Sequence, residues 1–520
     1  MGARYSLGSR IVAAWPYGAL VVGAFGYALG PTPMVVAGLV LVFVGALGSP
    51  RAALALAVAV VPAYLHGRSI GGYRFSPHTT AITLVALALA GRWLVGLVRQ
   101  SRARGPGDRT GLFALAQAGS GAEAKAGYAV PGDRTRPFVV TPRRLDLAVA
   151  VLVLCGAASL VVTIRPEETA RALREVIVVP VLFYYGALIA FGRDPWARPG
   201  IGWLAGAIVI GALASALIGL AQLALDVNLI TAEGAVRIRA LYGSPNNLGL
   251  LLGRAIPLAV ALALAGRHVR LPYLLALAPL FLALALTYSV GAWLGVGAAL
   301  LAVALLSRRR GPWLLIGGLV VVALVALPFL HVERVVSHLS FDDSTSFFRL
   351  KIWQSSLLML RDFPLTGIGL SAFQGHYDPA LGGRYMLPEA WQESTISHPH
   401  NLILDSWLSL GLAGLVAMGV LAVGFARDAR RVWLATDARA PGEAERARLL
   451  IVGTAGTMVA LVVHGLIDNS YFLPDLAVLF WAAFAIVRVL ASSPVAAPAN
   501  ASPLGRRSGE PPASGAMRPQ

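Results

Sequence analysis

The chain has 520 residues, 57% of them hydrophobic and 13% charged, with a mean hydropathy of +0.71. A soluble globular chain carries about 25% charged residues, so this composition excludes one and indicates an integral membrane protein. The formal net charge of +18 does not mark a nucleic-acid binder, because the arginines are scattered between apolar runs, as the positive-inside rule places them.

Apolar runs near the ~20-residue span length fall at roughly 11–30, 34–48, 52–66, 79–98, 146–163, 172–191, 201–225, 246–265, 271–288, 290–306, 312–330, 401–426, 450–467 and 473–491. The second and third are short and also fit one re-entrant pair, so the expected fold is an all-α polytopic membrane protein of about 12–14 spans. The first run lacks a clear small-residue cleavage site and is followed at once by more spans, which reads as a retained helix. The single cysteine, Cys155, lies in an apolar run, so no disulfide framework exists within the chain. Residues 100–142, rich in Gly, Ala, Arg and Pro, and 492–520, rich in Pro, Ala and Ser, cannot bury enough apolar surface to fold alone. The organisation that follows is transmembrane helices over 1–98, a basic loop over 99–145, central helices over 146–330, a large polar loop over 331–400, C-terminal helices over 401–491 and a tail over 492–520.

Charge orients the spans. With the N-terminus inside, the inner connecting segments hold 28 Lys plus Arg and the outer ones 11, of which 5 belong to the long 331–399 segment. The rule therefore puts both termini in the cytoplasm and 331–399 outside. No inverted repeat of the transporter kind is evident.

Five polar groups then share the outer face: Arg237 and Arg239, Tyr288-Ser289, the long loop with Arg349, His400-Asn401, and His464 with Asp468 and Asn469. Polar residues this dense do not belong in lipid. Arginine offers a planar fork of donors that suits phosphate oxygens and stays charged. Arg237 and Arg239, two apart in a loop, suit either one shared anion or interfacial anchoring. His400, between Pro399 and a helix start, is a candidate proton acceptor or a surface cap. Asp468 suits orienting such a histidine, pairing with an arginine, or a turn. His398, His400 and His376 match no standard metal-site spacing. Arg254 sits mid-span, where a charge is costly, and either faces a wet cavity or reaches a partner.

Four stretches carry a family resemblance: RIRALYGSPNNLGLLLGRAIPL (237–258), LTYSVGAWLG (286–295), SFFRLKIWQSSLLMLRDFPLTGIGLSAF (346–373) and HPHNLILDSWLSLGLAGL (398–415), with HGLIDNSYFLPDLA (464–477) as a weaker fifth. Together they resemble the O-antigen ligase and polymerase superfamily, bacterial membrane transferases that act on undecaprenyl-diphosphate-linked glycans. The resemblance implies a glycosyltransferase-C type helical fold with one large extracytoplasmic loop, sited in the cytoplasmic (inner) membrane. It implies a lipid-linked glycan donor, a lipid or glycan acceptor, and neither a nucleotide sugar, a cofactor nor a required metal. Carried over, Arg237 or Arg239 binds the diphosphate and His400 activates the acceptor hydroxyl. Arg349, Arg174, Arg254, Asn401, His464 and Asp468 are further candidate substrate contacts. Two departures stand out: Ala240 where relatives usually have glycine, and Val290 where many have arginine after serine. A ligase and a polymerase share this logic, and a lipid-linked sugar transporter is the rival outside it.

Overall fold

The computed structural model describes residues 7–70, 73–103, 144–232, 235–265, 267–307, 345–438 and 441–493. The span expected over 312–330, the first part of the polar loop, most of the basic loop and most of the tail lie outside these residues. In chain order the helices are α1 (Leu7–Leu29), α2 (Thr32–Gly48), α3 (Pro50–Ala59), α4 (Pro77–Ala103), α5 (Arg144–Val162), α6 (Pro166–Phe191), α7 (Gly202–Ala224), α8 (Pro245–Ala263), α9 (Arg267–Leu286), α10 (Val290–Ser307), α11 (Thr345–Asp362), α12 (Phe373–Tyr377), α13 (Leu402–Leu434), α14 (Pro441–Gly465) and α15 (Pro474–Ser492). Two short antiparallel hairpins, β1–β2 (Arg68–Ile70, Tyr73–Phe75) and β3–β4 (Ile230–Ala232, Ala235–Arg237), are the strands among the described residues.

Nine described helices are long and apolar enough to cross a membrane, and four shorter apolar helices accompany them. The chain is an all-α polytopic membrane protein. The run read over 52–66 forms a helix only to Ala59, because Pro62 follows in a 3-10 turn. Ten residues rise about 15 Å, half the hydrocarbon thickness, so α3 is a half-span. Conversely, α6 begins six residues before the expected 172. Pro166 opens it with Glu167 and Glu168 in its first turn, where a missing N–H is harmless and acidic groups complement the helix dipole. Within α6, Leu173–Val178 is π-helical.

Helices α8 and α15 form the centre. Almost every residue of each is buried on all faces, as helices apolar nearly all round require. Hydrogen bonds tie several of the segments between helices to one another. Arg51 donates to the Ala190 and Ala197 carbonyls, both at 2.7 Å, tying 49–51 to 192–199. Trp433 donates to Leu306 at 3.0 Å. At the other end, the Tyr27 hydroxyl donates to the Phe75 carbonyl at 2.5 Å, and Arg237 reaches Thr287.

Helix α13 is broken at Gly411, whose φ of 69° lies in the left-handed region. A break exposes backbone groups that lipid cannot satisfy. The Pro364–Leu370 turn fills it. Ile368 and Gly369 donate to the Leu408 carbonyl at 2.7 and 3.2 Å, Leu412 donates to Leu365 at 3.0 Å, and the Trp407 indole donates to Pro364 at 2.6 Å. A Cβ on Gly411 would collide with the Leu365 carbonyl, and one on Gly367 with that of Leu408. The glycines are thus what lets the two backbones touch, and their contact fixes the loop 371–400 over the start of α13.

Candidate active site

The site is built where two polar turns meet, one before α13 and one between α14 and α15. Asn401 caps α13, its Oδ1 accepting from the Ile403 and Leu404 amides at 3.0 and 3.1 Å. This is the usual way to satisfy first-turn donors. Its Nδ2 donates across to the Leu466 carbonyl at 2.9 Å. Both ends of the Asn401 amide therefore hold the two turns together. Gly465 permits the approach, since a Cβ there would lie 2.8 Å from Ser470 Cβ and 3.1 Å from Leu402 Cβ.

His400, one residue before the cap, has a φ of 50°. That conformation is costly for a residue with a Cβ and persists only where neighbours enforce it. It aims the ring so that Nδ1 lies 3.0 Å from Asp468 Oδ1. The same oxygen accepts from the Asn469 amide at 2.8 Å. With the Nδ1 proton given to the carboxylate, Nε2 carries the lone pair. The His400 side chain is 17% exposed and that of Asp468 is 3% exposed, so the acid is sealed behind a ring that reaches the surface. Burial alone would raise the Asp468 carboxyl, but His400, hydrogen-bonded to it, with His464 and His398, holds it below the usual carboxylate range.

Two more histidines complete the corner. The His398 and His400 rings meet edge to face, centroids 4.2 Å apart, and His398 Nδ1 accepts from the His400 amide at 3.3 Å. Burial first, then His400 and Arg349 against the pull of Asp468, push the His398 imidazole down to about 3. His398 is therefore neutral at physiological pH. His464, at the end of α14, puts Nε2 3.8 Å from Asp468 Oδ2, too far for a hydrogen bond. Its ring lies against α10: a Cβ on Gly291 would stand 2.6 Å from His464 Cδ2. Val290, at the position of the departure noted above, is the first residue of that helix. His398, His400 and Asp468 offer one ligand atom each within 4.8 Å of one another. An ion seated on the paired atoms would replace the proton shared by His400 and Asp468.

The arginines divide. Arg254 is buried within α8 and reaches a partner, not a cavity: Nη2 donates to the Ser470 carbonyl and hydroxyl, both at 2.7 Å. Ser470 in turn donates to Leu461 at 2.7 Å, and Thr457 donates to the Arg254 carbonyl at 2.8 Å. Arg254 thus braces from behind the turn that carries Asp468. Nearby, Tyr242 donates to Asp475 at 3.0 Å. Arg237 is half-buried and donates to the Thr287 carbonyl at 2.7 Å and to Asn246 Oδ1 at 2.9 Å. Arg239 turns instead to the backbone and side chain of Asn228, so the two arginines have different partners. Arg174 is exposed and pairs with adjacent Glu175 at 2.8 Å. Arg349, on α11, makes no hydrogen bond or ion pair among the described residues, and its Nε is buried without an acceptor. Ala240 has a φ of 52°, a conformation that glycine adopts without cost. Gln222 and Asn228 both donate to its carbonyl, at 3.0 and 3.4 Å.

The structure therefore brings together His400, Asp468, Asn401 and His464, with Arg254 behind them and Arg349 close enough to act on His398 and His464 electrostatically. The bonds of Arg239 and Arg174 run elsewhere. An apolar cavity of about 530 Å³ lies beside Leu365, between Leu147 and Val151 of α5 and Leu412, Val416 and Val420 of α13; it offers no polar group for chemistry.

Residues 275–419 match the family model described as O-antigen ligase. Over that segment, a little over a quarter of the chain, the protein is similar to the O-antigen ligase family. The matched segment holds α10, α11, the Pro364–Leu370 turn, the His398–Asn401 turn and the first half of α13, whereas Asp468, Arg254 and Arg237 lie outside it. A comparison with curated proteins gives no match.

Proposed function

We propose that this protein is an O-antigen ligase-like glycosyltransferase that moves a glycan from undecaprenyl diphosphate to an acceptor hydroxyl on the outer face of the cytoplasmic membrane. The observation that carries the reading is the 3.0 Å contact between His400 and Asp468, with His400 inside the matched ligase segment. A base oriented by a buried carboxylate, its other nitrogen free, is the arrangement needed to take a proton from a hydroxyl.

In this reading the acceptor oxygen attacks the anomeric carbon and its proton goes to His400 Nε2. The bond from that carbon to the diphosphate oxygen breaks, and the electron pair leaves with undecaprenyl diphosphate. Attack opposite the leaving group inverts the anomeric centre. Charge grows on the diphosphate, and cations fixed in a partly dry site stabilise it better than water does. Arg237, held by Thr287 and Asn246 between two parts of the bundle, is better preorganised for that than Arg239, whose bonds run to Asn228. Asn401 and Arg254 position the two turns. No step calls on a metal, and both termini sit in the cytoplasm.

The test is transfer by the purified protein in lipid, with an undecaprenyl-diphosphate oligosaccharide and a panel of acceptors, read by mass. Glycan on a non-carrier acceptor supports a ligase. Longer glycan on the carrier supports a polymerase of the same superfamily. Unchanged glycosidic bonds with cognate donors and acceptors contradict the enzyme reading in favour of a transporter.

A further inference from the structure

The proposed transfer gives His398 no task, yet its ring packs directly on His400, centroids 4.2 Å apart. His398, His400 and Asp468 each turn one ligand atom to a common point, all within 4.8 Å of one another. Tetrahedral zinc, with bonds of about 2.0–2.2 Å to nitrogen and oxygen, sets neighbouring ligand atoms about 3.3 Å apart. The 3.0 Å between His400 Nδ1 and Asp468 Oδ1 is close to that spacing. Asp468 adds an independent sign. It is 2% exposed, and its Oδ2 has no hydrogen-bond partner among the described residues. His464 Nε2, at 3.8 Å, stands beyond hydrogen-bond reach. A buried carboxylate oxygen left unanswered is costly.

Two imidazole nitrogens and one carboxylate suit a late first-row divalent ion such as zinc. They do not suit magnesium or calcium, which take oxygen ligands and more of them. Water can complete the set, because the His400 side chain, 17% exposed, reaches the surface. Counting lone pairs then gives the consequence for catalysis. A neutral imidazole has one nitrogen lone pair and one N–H. Coordination through Nδ1 sends the ring proton to Nε2, and coordination through Nε2 uses that lone pair directly. In both cases His400 has nothing left with which to take the proton of a hydroxyl.

We infer that His398, His400 and Asp468 form an inhibitory site for a divalent transition-metal ion of the zinc type, with His398 as the third ligand. The ion competes with turnover and does not serve it. The binding stands on the geometry of the three side chains alone. The inhibition rests on the proposed transfer reaction, in which His400 is the base.

The experiment has two arms, both on full-length protein in lipid nanodiscs, purified without a polyhistidine tag. In the first, Co²⁺ is titrated and followed by its visible absorption, and Zn²⁺ then displaces it. The expected result is one ion per protein. A partner one shell outside a metal is worth about 10–100-fold in affinity, so losing a ligand itself is expected to weaken zinc at least about a hundredfold in His398→Asn and in Asp468→Asn. His376→Asn, a histidine outside the ligand set, keeps wild-type affinity. In the second arm, transfer is measured for wild type and His398→Asn, each against its own metal-free rate. Zn²⁺ is expected to stop the wild type and a chelator to restore it, while Mg²⁺ and Ca²⁺ at the same concentration do neither. His398→Asn raises the inhibiting zinc concentration by the factor it loses in affinity. Equal zinc affinity in wild type and in folded His398→Asn and Asp468→Asn proteins overturns the site, whatever the transfer arm shows. One ion bound at the corner with transfer undiminished overturns the inhibition. Binding that needs His398 and Asp468, by a protein that transfers nothing even without metal, leaves the site standing and removes the enzyme reading.

Discussion

Arg254 and Arg349 are the same residue type in two regions of the molecule, and they behave differently. Arg254 is deep in the bundle, and its guanidinium is held by the Ser470 carbonyl and hydroxyl. Arg349 is at the rim, half-buried, with no bond among the described residues and its Nε sealed from water. In the first region the Ser470 carbonyl and hydroxyl hold one end of the guanidinium, although its Nε is buried without an acceptor, so the arginine acts as a strut behind the turn that carries Asp468. In the second no described residue bonds the guanidinium, and the arginine acts as no strut. Around water-poor sites, what a polar group is bonded to tells its role better than how deep it lies.

The comparison is broken most directly at the end of the strut. His400→Ala removes the oriented base and is expected to lower transfer roughly 10²–10⁴-fold in kcat, with undecaprenyl diphosphate binding unchanged. Asp468→Asn removes only the orienting charge and is expected to lower kcat about 10–100-fold. Arg254→Gln leaves Ser470 partly unanswered and is expected to lower folding stability by about 3 kcal/mol. Arg349→Gln is expected to change stability by less than about 0.5 kcal/mol. Thermal unfolding of the two proteins in the same detergent checks that contrast, and equal losses would break it.

Gly411→Ala tests the other closed contact. It forces a Cβ into the Leu365 carbonyl at a left-handed residue and is expected to cost about 2 kcal/mol. pH gives a finer test. The His398 imidazole is lowered in the folded protein to about 3, so the unfolded chain binds the extra proton between that value and the ordinary one of about 6.5. The stability it contributes is complete above about pH 6.5 and is lost as pH falls toward 3, at no more than about 1.4 kcal/mol per pH unit. His398→Asn is therefore expected to flatten the fall in melting temperature between pH 6.5 and 4.5. The smallest effect concerns Ala240, whose φ of 52° suits glycine. Ala240→Gly is expected to raise stability by about 0.5–1 kcal/mol.

Much of the fold was legible because lipid imposes one rule, an apolar helix about 20 residues long. The misread ends have local causes. Pro62 stops α3 early, and Pro166 with its acidic neighbours starts α6 early. The break at Gly411 was not legible, since LGLAGL reads as continuous apolar helix. Its sign is the distant Gly367-Ile368-Gly369 turn, whose need for a helix carbonyl shows only in three dimensions. At the site, His400 and Asp468 were each visible as polar residues at span ends on one face. Their 3.0 Å contact across 68 residues of sequence was not. Arg254 stood out as an intramembrane charge, but its partner is a serine, which no charge count reveals.

The most direct measurement is single-turnover transfer by wild-type and His400→Ala protein in the same lipid, with donor binding measured on both. The account predicts that the wild type moves glycan to an acceptor hydroxyl, while the variant binds donor equally and transfers at least about a hundredfold more slowly. Equal transfer rates in the two proteins would contradict it.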